Sequence, residues 1–379
     1  MHRSATFGLV GGSGNTGIAI AEQLRRSIEK PIAIAARDFS KAQAVAAKLG
    51  GATSAAQIDV RNPQSLENFC ARCDIVVNCA GPVCELQDRV AQAALTMGSH
   101  YVDVAGLTLV RERMLPHNDQ LVARGLSCVV SAGWLPGMSE LLPAYAFRMA
   151  KADMDEVHCM TIHFGDDGEW SYNAVRDAVW YLRKFGRRRP QYMQRGQWVR
   201  AKFSEVLNET NLETPMGRCL FAMSCLPEME ELIDSELRGC DTRACIYLPS
   251  SRTAAVGSLL ALVPIPTGLA VPVLRQALRA PSLAIGGFSI VAVHGSRGGR
   301  EVWHRHQVTF DKQREYWMSA VVAATVARLL AEGRAIKPGV HFLVDAVDPI
   351  AFMEELRNAG VTNTQSFSAE VSERPTDDG

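Results

Sequence analysis

Glycines at positions 12, 14 and 17 directly follow the apolar run Phe7-Gly8-Leu9-Val10-Gly11, and no other feature constrains this chain as strongly. The apolar run predicts a strand, and Ile18, Ile20, Ala21 and Leu24 beyond the loop predict a helix. A strand that enters a glycine loop and leaves it as a helix is the signature of a dinucleotide site. Gly12 is expected to permit the tight turn, Gly14 to let backbone N–H groups approach a pyrophosphate, and Gly17 to let helix and strand pack closely. Ser13, Asn15 and Thr16 complete the loop. The helix N-terminus adds unpaired donors and partial positive charge for the phosphates.

With 379 residues, the chain is expected to form more than one domain. Its 40 basic and 40 acidic residues cancel, so no basic surplus exists to drive nucleic-acid or anionic-membrane binding. The first apolar stretch runs into the glycine loop instead of a cleavage site, and ten cysteines lie scattered without a disulfide framework. Both features suit a reducing cytoplasm. Cys70-x-x-Cys73 has no second pair at zinc-ribbon spacing, so no metal is expected. No charged residue occurs from Thr253 to Leu274, but Pro264, Pro266 and Pro272 interrupt that stretch. A buried helix followed by an apolar loop is therefore expected over a membrane span.

Strands and helices alternate through the first 130 or so residues as in a doubly wound parallel sheet of Rossmann type. The third strand is read at Ala56–Val60 and the fifth at His100–Val104. Beyond about residue 150, Val157–Phe164, Phe288–His294 and Val302–Phe310 alternate in side-chain type, predicting a second, α+β domain on a mostly antiparallel sheet. The expected division is a dinucleotide-binding domain over 1–140, a substrate and dimerisation domain over 141–315, C-terminal helices over 316–363 packing back near the cofactor domain, and a disordered tail over 364–379.

The end of the second strand bears on which nicotinamide cofactor fits. NAD sites place a carboxylate there for the ribose hydroxyls. Here the strand ends in Arg37, with Lys41 one helical turn later, and two cations favour the 2′-phosphate of NADP over NAD. Asp38 leaves a ribose contact open. Asp59 and Val60 are expected beside the adenine. Cys79, Ala80, Gly81 and Pro82 are expected along the ribose and nicotinamide end, Cys79 as a wall residue rather than a nucleophile.

Three segments carry a resemblance: Val76-Val77-Asn78-Cys79-Ala80-Gly81-Pro82, His100-Tyr101-Val102-Asp103-Val104-Ala105-Gly106, and Ala132-Gly133-Trp134-Leu135-Pro136-Gly137-Met138-Ser139. With Pro338-Gly339-Val340-His341, they resemble the NADP-binding saccharopine dehydrogenase (saccharopine reductase-like) family. The resemblance implies a Rossmann domain with a mixed α/β substrate domain, a homodimer, a small-molecule substrate, and hydride transfer at a C–N bond of an amino-acid-derived imine or secondary amine. Short-chain reductases share the glycine signal but need Tyr-x-x-x-Lys, and Tyr181 is followed four residues later by Phe185.

Reduction of C=N is helped by a carboxylate near the developing amine. Asp103, at the ligand-binding end of strand five, is the catalytic candidate, with capping of the turn at Gly106 as its alternative role. Tyr101 shares both readings. Substrate candidates are Trp134, as a cover for the nicotinamide; Glu140, which otherwise favours a helix N-terminus; Trp170, narrowing the pocket; and Arg176, for a substrate carboxylate. Arg187-Arg188-Arg189 reads as a solvated loop. Two rival functions stay open: a reductase of C=C or C=O in a more lipophilic substrate, and a cofactor-binding sensor or scaffold without turnover.

Overall fold

A computed structural model describes residues 6–212, 215–223, 226–279, 283–314, 316–334 and 336–368. Its first six strands are β1 (Phe7–Val10), β2 (Ile32–Ala36), β3 (Thr53–Gln57), β4 (Ile75–Asn78), β5 (His100–Asp103) and β6 (Ser127–Val130). They pair in parallel in the order β6-β5-β4-β1-β2-β3. β1 and β4 are buried at every position, as the apolar runs Phe7–Val10 and Ile75–Val77 require of strands covered by helices on both faces. The chain winds outward from β1 through β2 to β3, then outward on the other side from β4. The strand order therefore reverses between β1 and β4, which opens a crevice beyond their carboxyl ends. β3 ends at Gln57, earlier than expected, so Asp59 and Val60 lie in the loop beyond it.

The second sheet is built on β7 (Glu156–Asp166), β8 (Gln191–Gln194), β9 (Gln197–Arg200), β10 (Leu207–Leu212), β11 (Gly217–Met223), β12 (Asp241–Leu248), β13 (Gly287–Arg297) and β14 (Arg300–Phe310). All its pairings are antiparallel except β7 with β12. The architecture is thus a Rossmann-type α/β sheet joined to a mostly antiparallel α+β unit, as the residue patterns predict. The helix Met138–Asp153 links the two. One continuous core runs from β1 through its Leu141, Leu142 and Tyr145 to Ile162 on β7 and Val291 on β13.

Two C-terminal segments depart from expectation. After the helix Trp317–Ala331, which packs on Asn15–Ser27, the chain forms β15 (Gly339–Phe342). This strand pairs in parallel with β6 and becomes the outer strand of the first sheet. Residues 364–368, expected in a disordered tail, belong to β16 (Asn363–Ser368), which pairs with β14. Alternation explains it: Phe367 reaches His304, and Gln365 donates to the Tyr145 hydroxyl at 2.8 Å. Residues 369–379 of that expected tail lie outside the described residues. The uncharged stretch also differs from the buried helix expected. It forms two short helices, Ser251–Leu262 and Thr267–Leu278, with Pro264 and Pro266 in the turn between them. Among the described residues, no helix is long and apolar enough to cross a membrane.

Candidate active site

The glycine loop lies at the crevice beyond β1. Its turn residue is Gly11 rather than Gly12: Gly11 has φ +77°, and its N–H donates to the Ala35 carbonyl at 2.9 Å. A Cβ on Gly11 would stand 2.7 Å from the Ala80 nitrogen. A Cβ on Gly17 would stand 2.6 Å from the Gly11 carbonyl oxygen, which is the close helix–strand approach expected of it. Gly14 differs, since a Cβ there would meet only the Gly11 oxygen, at 3.4 Å. Packing within the chain leaves that position open, so its bareness suits a group from outside. Gly14 is also the N-cap of the helix Asn15–Ser27, whose first turn has no side-chain cap and no acidic residue. Uncapped donors at a helix start attract an anion. Ser13, Asn15 and Thr16 are the loop residues that flank Gly14.

At the end of β2, Arg37 is exposed and its guanidinium has no ion-pair partner among the described residues. Asp38 instead faces its own helix, accepting from the Lys41 N–H at 3.1 Å as N-cap of Phe39–Leu49. The Lys41 ammonium stands 3.9 Å from Asp38, both largely exposed. The ribose contact considered for Asp38 thus competes with a helix cap, while Arg37 is open to a phosphate. Asp59 is exposed and accepts from the Arg61 N–H at 2.9 Å, and Val60 is half-buried.

Across the crevice, Cys79, Ala80, Gly81 and Pro82 follow β4. Burial pushes the Cys79 thiol up to about 12, so it stays protonated at neutral pH. The loop is held by the helix Tyr172–Phe185 of the second unit. Asp177 accepts from the Val83 and Cys84 N–H groups, each at 2.9 Å, and Asn173 donates to the Gly81 carbonyl at 3.1 Å. Arg176 pairs with Glu85 on the same loop. Residues 173, 176 and 177 share one helix face by their spacing. Arg176, expected to meet a substrate carboxylate, is thus already paired with a carboxylate of the chain itself. Trp170 donates to Asp166 at 2.6 Å and packs on Val175 and Val179, which ties it to the base of the same helix.

The candidate catalytic carboxylate points inward. Asp103 is 2 % exposed, and its Oδ1 accepts from the Gly106 N–H at 2.5 Å and the Ser131 N–H at 2.9 Å. The alternative role, capping the turn at Gly106, is the one the geometry displays. Burial raises its pKa to about 6, against the pull of those N–H donors. Tyr101 is fully buried beside it and accepts from Asn78 at 3.1 Å. Trp134, expected as a cover for the nicotinamide, has its ring buried edge-on against Phe310, 5.0 Å between centroids, and its backbone N–H donates to the Ser319 hydroxyl at 3.1 Å. Glu140 also turns inward, accepting from the Gly137 N–H at 2.7 Å and the Ser139 hydroxyl at 2.8 Å. Its helix-start role is the one seen. The loop after β4 and the Tyr172–Phe185 helix are therefore brought together at the crevice, whereas Asp103, Tyr101, Trp134 and Glu140 form its buried support.

Residues 7–129 match the model of the saccharopine dehydrogenase NADP binding domain. The resemblance read from the sequence is borne out over that domain, which holds the first two of the three segments. The saccharopine dehydrogenase-like oxidoreductase of Homo sapiens is 27% identical over 194 residues, which cover 46% of this chain and 44% of that protein. The protein of the same name from Rattus norvegicus is 26% identical over the same extent. The matched stretch thus spans less than half of these relatives. In fold, the chain is similar to the apo saccharopine dehydrogenase (L-Glu forming) of Saccharomyces cerevisiae. The TM-score is 0.64 at 12% identity, covering 96% of this chain and all of that one.

Sequence reasoning missed Asp177 and Glu228. The first was signalled, because it shares a helix face with Arg176. Glu228 gave no signal. It is buried on the helix Pro227–Ser235 and accepts from the Thr108 N–H at 3.0 Å. Burial, then the charge of Glu140, raises its pKa from the ordinary 4.5 to about 8. The folded state thus holds this proton more tightly than the unfolded one. The resulting stability is complete below about pH 4.5 and is lost as pH rises through 8.

Two measurements follow. The thermal midpoint of the protein should fall between about pH 5 and pH 8. Glu228→Gln, which keeps an acceptor for Thr108, should flatten that slope and melt a few degrees higher at pH 8. Parallel slopes for the two proteins would remove Glu228 as the cause. Separately, Asp177→Ala should cost about 1–3 kcal/mol and speed hydrogen exchange at Val83 and Cys84. Unchanged exchange there would mean the loop does not need this clasp.

Proposed function

We propose that this chain is an NADP-dependent oxidoreductase that transfers hydride to or from a small organic substrate in the crevice between β1 and β4. The observation that carries this reading is the bare Gly14 at an uncapped helix start, with Arg37 at the end of β2 exposed and without an ion-pair partner among the described residues. The residues fit the dinucleotide. The backbone of Ser13, Gly14, Asn15, Thr16 and Gly17 would hold the pyrophosphate, and Arg37 with Lys41 the 2′-phosphate. Asp59 and Val60 would flank the adenine, and Cys79, Ala80, Gly81 and Pro82 would line the nicotinamide end. The bound cofactor supplies a hydride donor or acceptor. This chain's part is to orient it, exclude water and settle protons. Asp103, with its neighbour Tyr101, acts in this reading as a positioning residue, because its carboxylate fixes the backbone at the ends of β5 and β6.

For the bond acted on, the reading is a C–N bond of an imine or secondary amine derived from an amino acid. It rests on the family of the cofactor domain. A second reading, reduction of C=O or C=C in a more lipophilic molecule, is favoured by one observation: Arg176 is matched by Glu85, leaving no free guanidinium on that face for a substrate carboxylate. A homodimer in the cytoplasm remains our expectation for its working form.

For the cofactor, Arg37→Ala should raise the NADPH dissociation constant by about tenfold or more, the loss of one charge-assisted contact, while the NADH constant moves less than about twofold. Equal weakening of both would refute the phosphate role. For the substrate, NADPH oxidation should appear with panels of amino acid plus keto acid or aldehyde. Turnover confined to enal and ketone panels would replace the C–N reading with the second one.

A further inference from the structure

The helical hairpin of Ser251–Leu262 and Thr267–Leu278 buries one side and exposes the other. Leu260, Ala270, Val271 and Leu274 pack on Val175 and Val179 of the helix Tyr172–Phe185. On the outer side Leu262 and Leu269 are each 63% exposed, with Leu259, Val263 and Val273 also open. Single exposed leucines need no explanation, but a run of them around one uncharged turn does.

The charges around this turn are segregated. No acidic residue occurs between Asp177 and Glu205, or between Asp241 and Glu301, in a chain with no net charge. Arg183 donates to the Ile265 carbonyl and to Thr267, and Arg187 to the carbonyls of Ala261 and Leu262. These guanidiniums bind neutral oxygens, so their charge stays uncompensated beside the apolar turn. Arg189 lies over the ring of Phe203, which is 84% exposed. Lys184 does pair with Glu112, at 3.7 Å, and Arg188 acts on Glu230.

We propose that this hairpin docks on an anionic lipid surface. Leu262, Val263, Leu269 and Phe203 would enter the headgroup–acyl boundary, and Arg183, Arg187 and Arg189 would meet lipid phosphates. An apolar tip beside a collar of Arg183, Arg187 and Arg189, which form no ion pair among the described residues, is the pattern of interfacial binding. Each helix has 12 residues, about 18 Å at 1.5 Å per residue, against about 30 Å of hydrocarbon, so the hairpin lies on a bilayer and does not span it. A second copy fits less well, because a twofold contact through this face sets one collar against the other. The proposal departs from the expectation drawn from net charge, because charge balanced over the chain is not balanced here.

The test is co-sedimentation of the full chain with vesicles of phosphatidylcholine alone and of phosphatidylcholine with phosphatidylserine at about three to one. Binding should require phosphatidylserine, and it should weaken severalfold in about 0.5 M salt. It should drop by about tenfold or more in the Leu262→Asp/Leu269→Asp variant. Arg189→Glu should weaken it with the apolar tip intact. Both leucines are exposed, so circular dichroism and NADPH affinity should match the parent protein. Absence of vesicle binding, or binding indifferent to these substitutions, overturns the proposal. So does a parent dimer, seen by light scattering, that the leucine variant dissolves, which would assign the face to a second copy.

Discussion

The bond between Asp177 and the start of the Val83–Leu86 turn is the contact on which the working geometry depends. One carboxylate satisfies two consecutive backbone N–H groups, at 2.9 Å each, on the loop that follows β4 at the crevice. Asn173 and Arg176 grip the same loop from the same helix face. Two units with separate sheets are thereby joined at the place where hydride would pass. The helix that supplies this grip rests its other side on the exposed hairpin, through Val175 and Val179. A displacement of the hairpin is therefore one helix away from the crevice.

A second theme is the use of dry carboxylates as backbone anchors. Asp103, Glu140 and Glu228 are each about 2 % exposed, and each accepts from N–H groups at loop or helix starts. Such groups are costly to ionise in an apolar setting, and burial is the largest cause of the raised pKa in all three. They sit behind the site, where they fix the ends of β5 and β6 and the entry to Met138–Asp153.

The first domain was legible because parallel strands covered on both faces leave continuous apolar runs, and because a glycine loop has few other uses. The helix Trp317–Ala331 falls within the C-terminal helices expected over 316–363, since its apolar stripe is unbroken. What stayed hidden was decided by tertiary partners. Gly11 takes the turn because Ala80 approaches it, a neighbour that sequence adjacency does not reveal. Arg176 looked free because Glu85 lies far away in the chain. Asp103 stands inside the matched cofactor domain, yet its side chain, like those of Trp134 and Glu140, turns inward, and pattern alone cannot tell which way a polar side chain faces. β3 was misplaced because Thr53–Gln57 is small and half-exposed, with no apolar alternation to mark it.

The position of β15 has a consequence for biogenesis. Residues 339–342 form the outermost strand of a sheet whose other six strands are complete by residue 130. As the polypeptide leaves the ribosome, β6 must wait through the whole second unit with its flank unpaired. Bare strand flanks recruit other chains, so this interval is when the growing protein is most prone to aggregate and most in need of a chaperone. Closure of that flank comes late and from far away in sequence, which also predisposes the fold to assemble slowly.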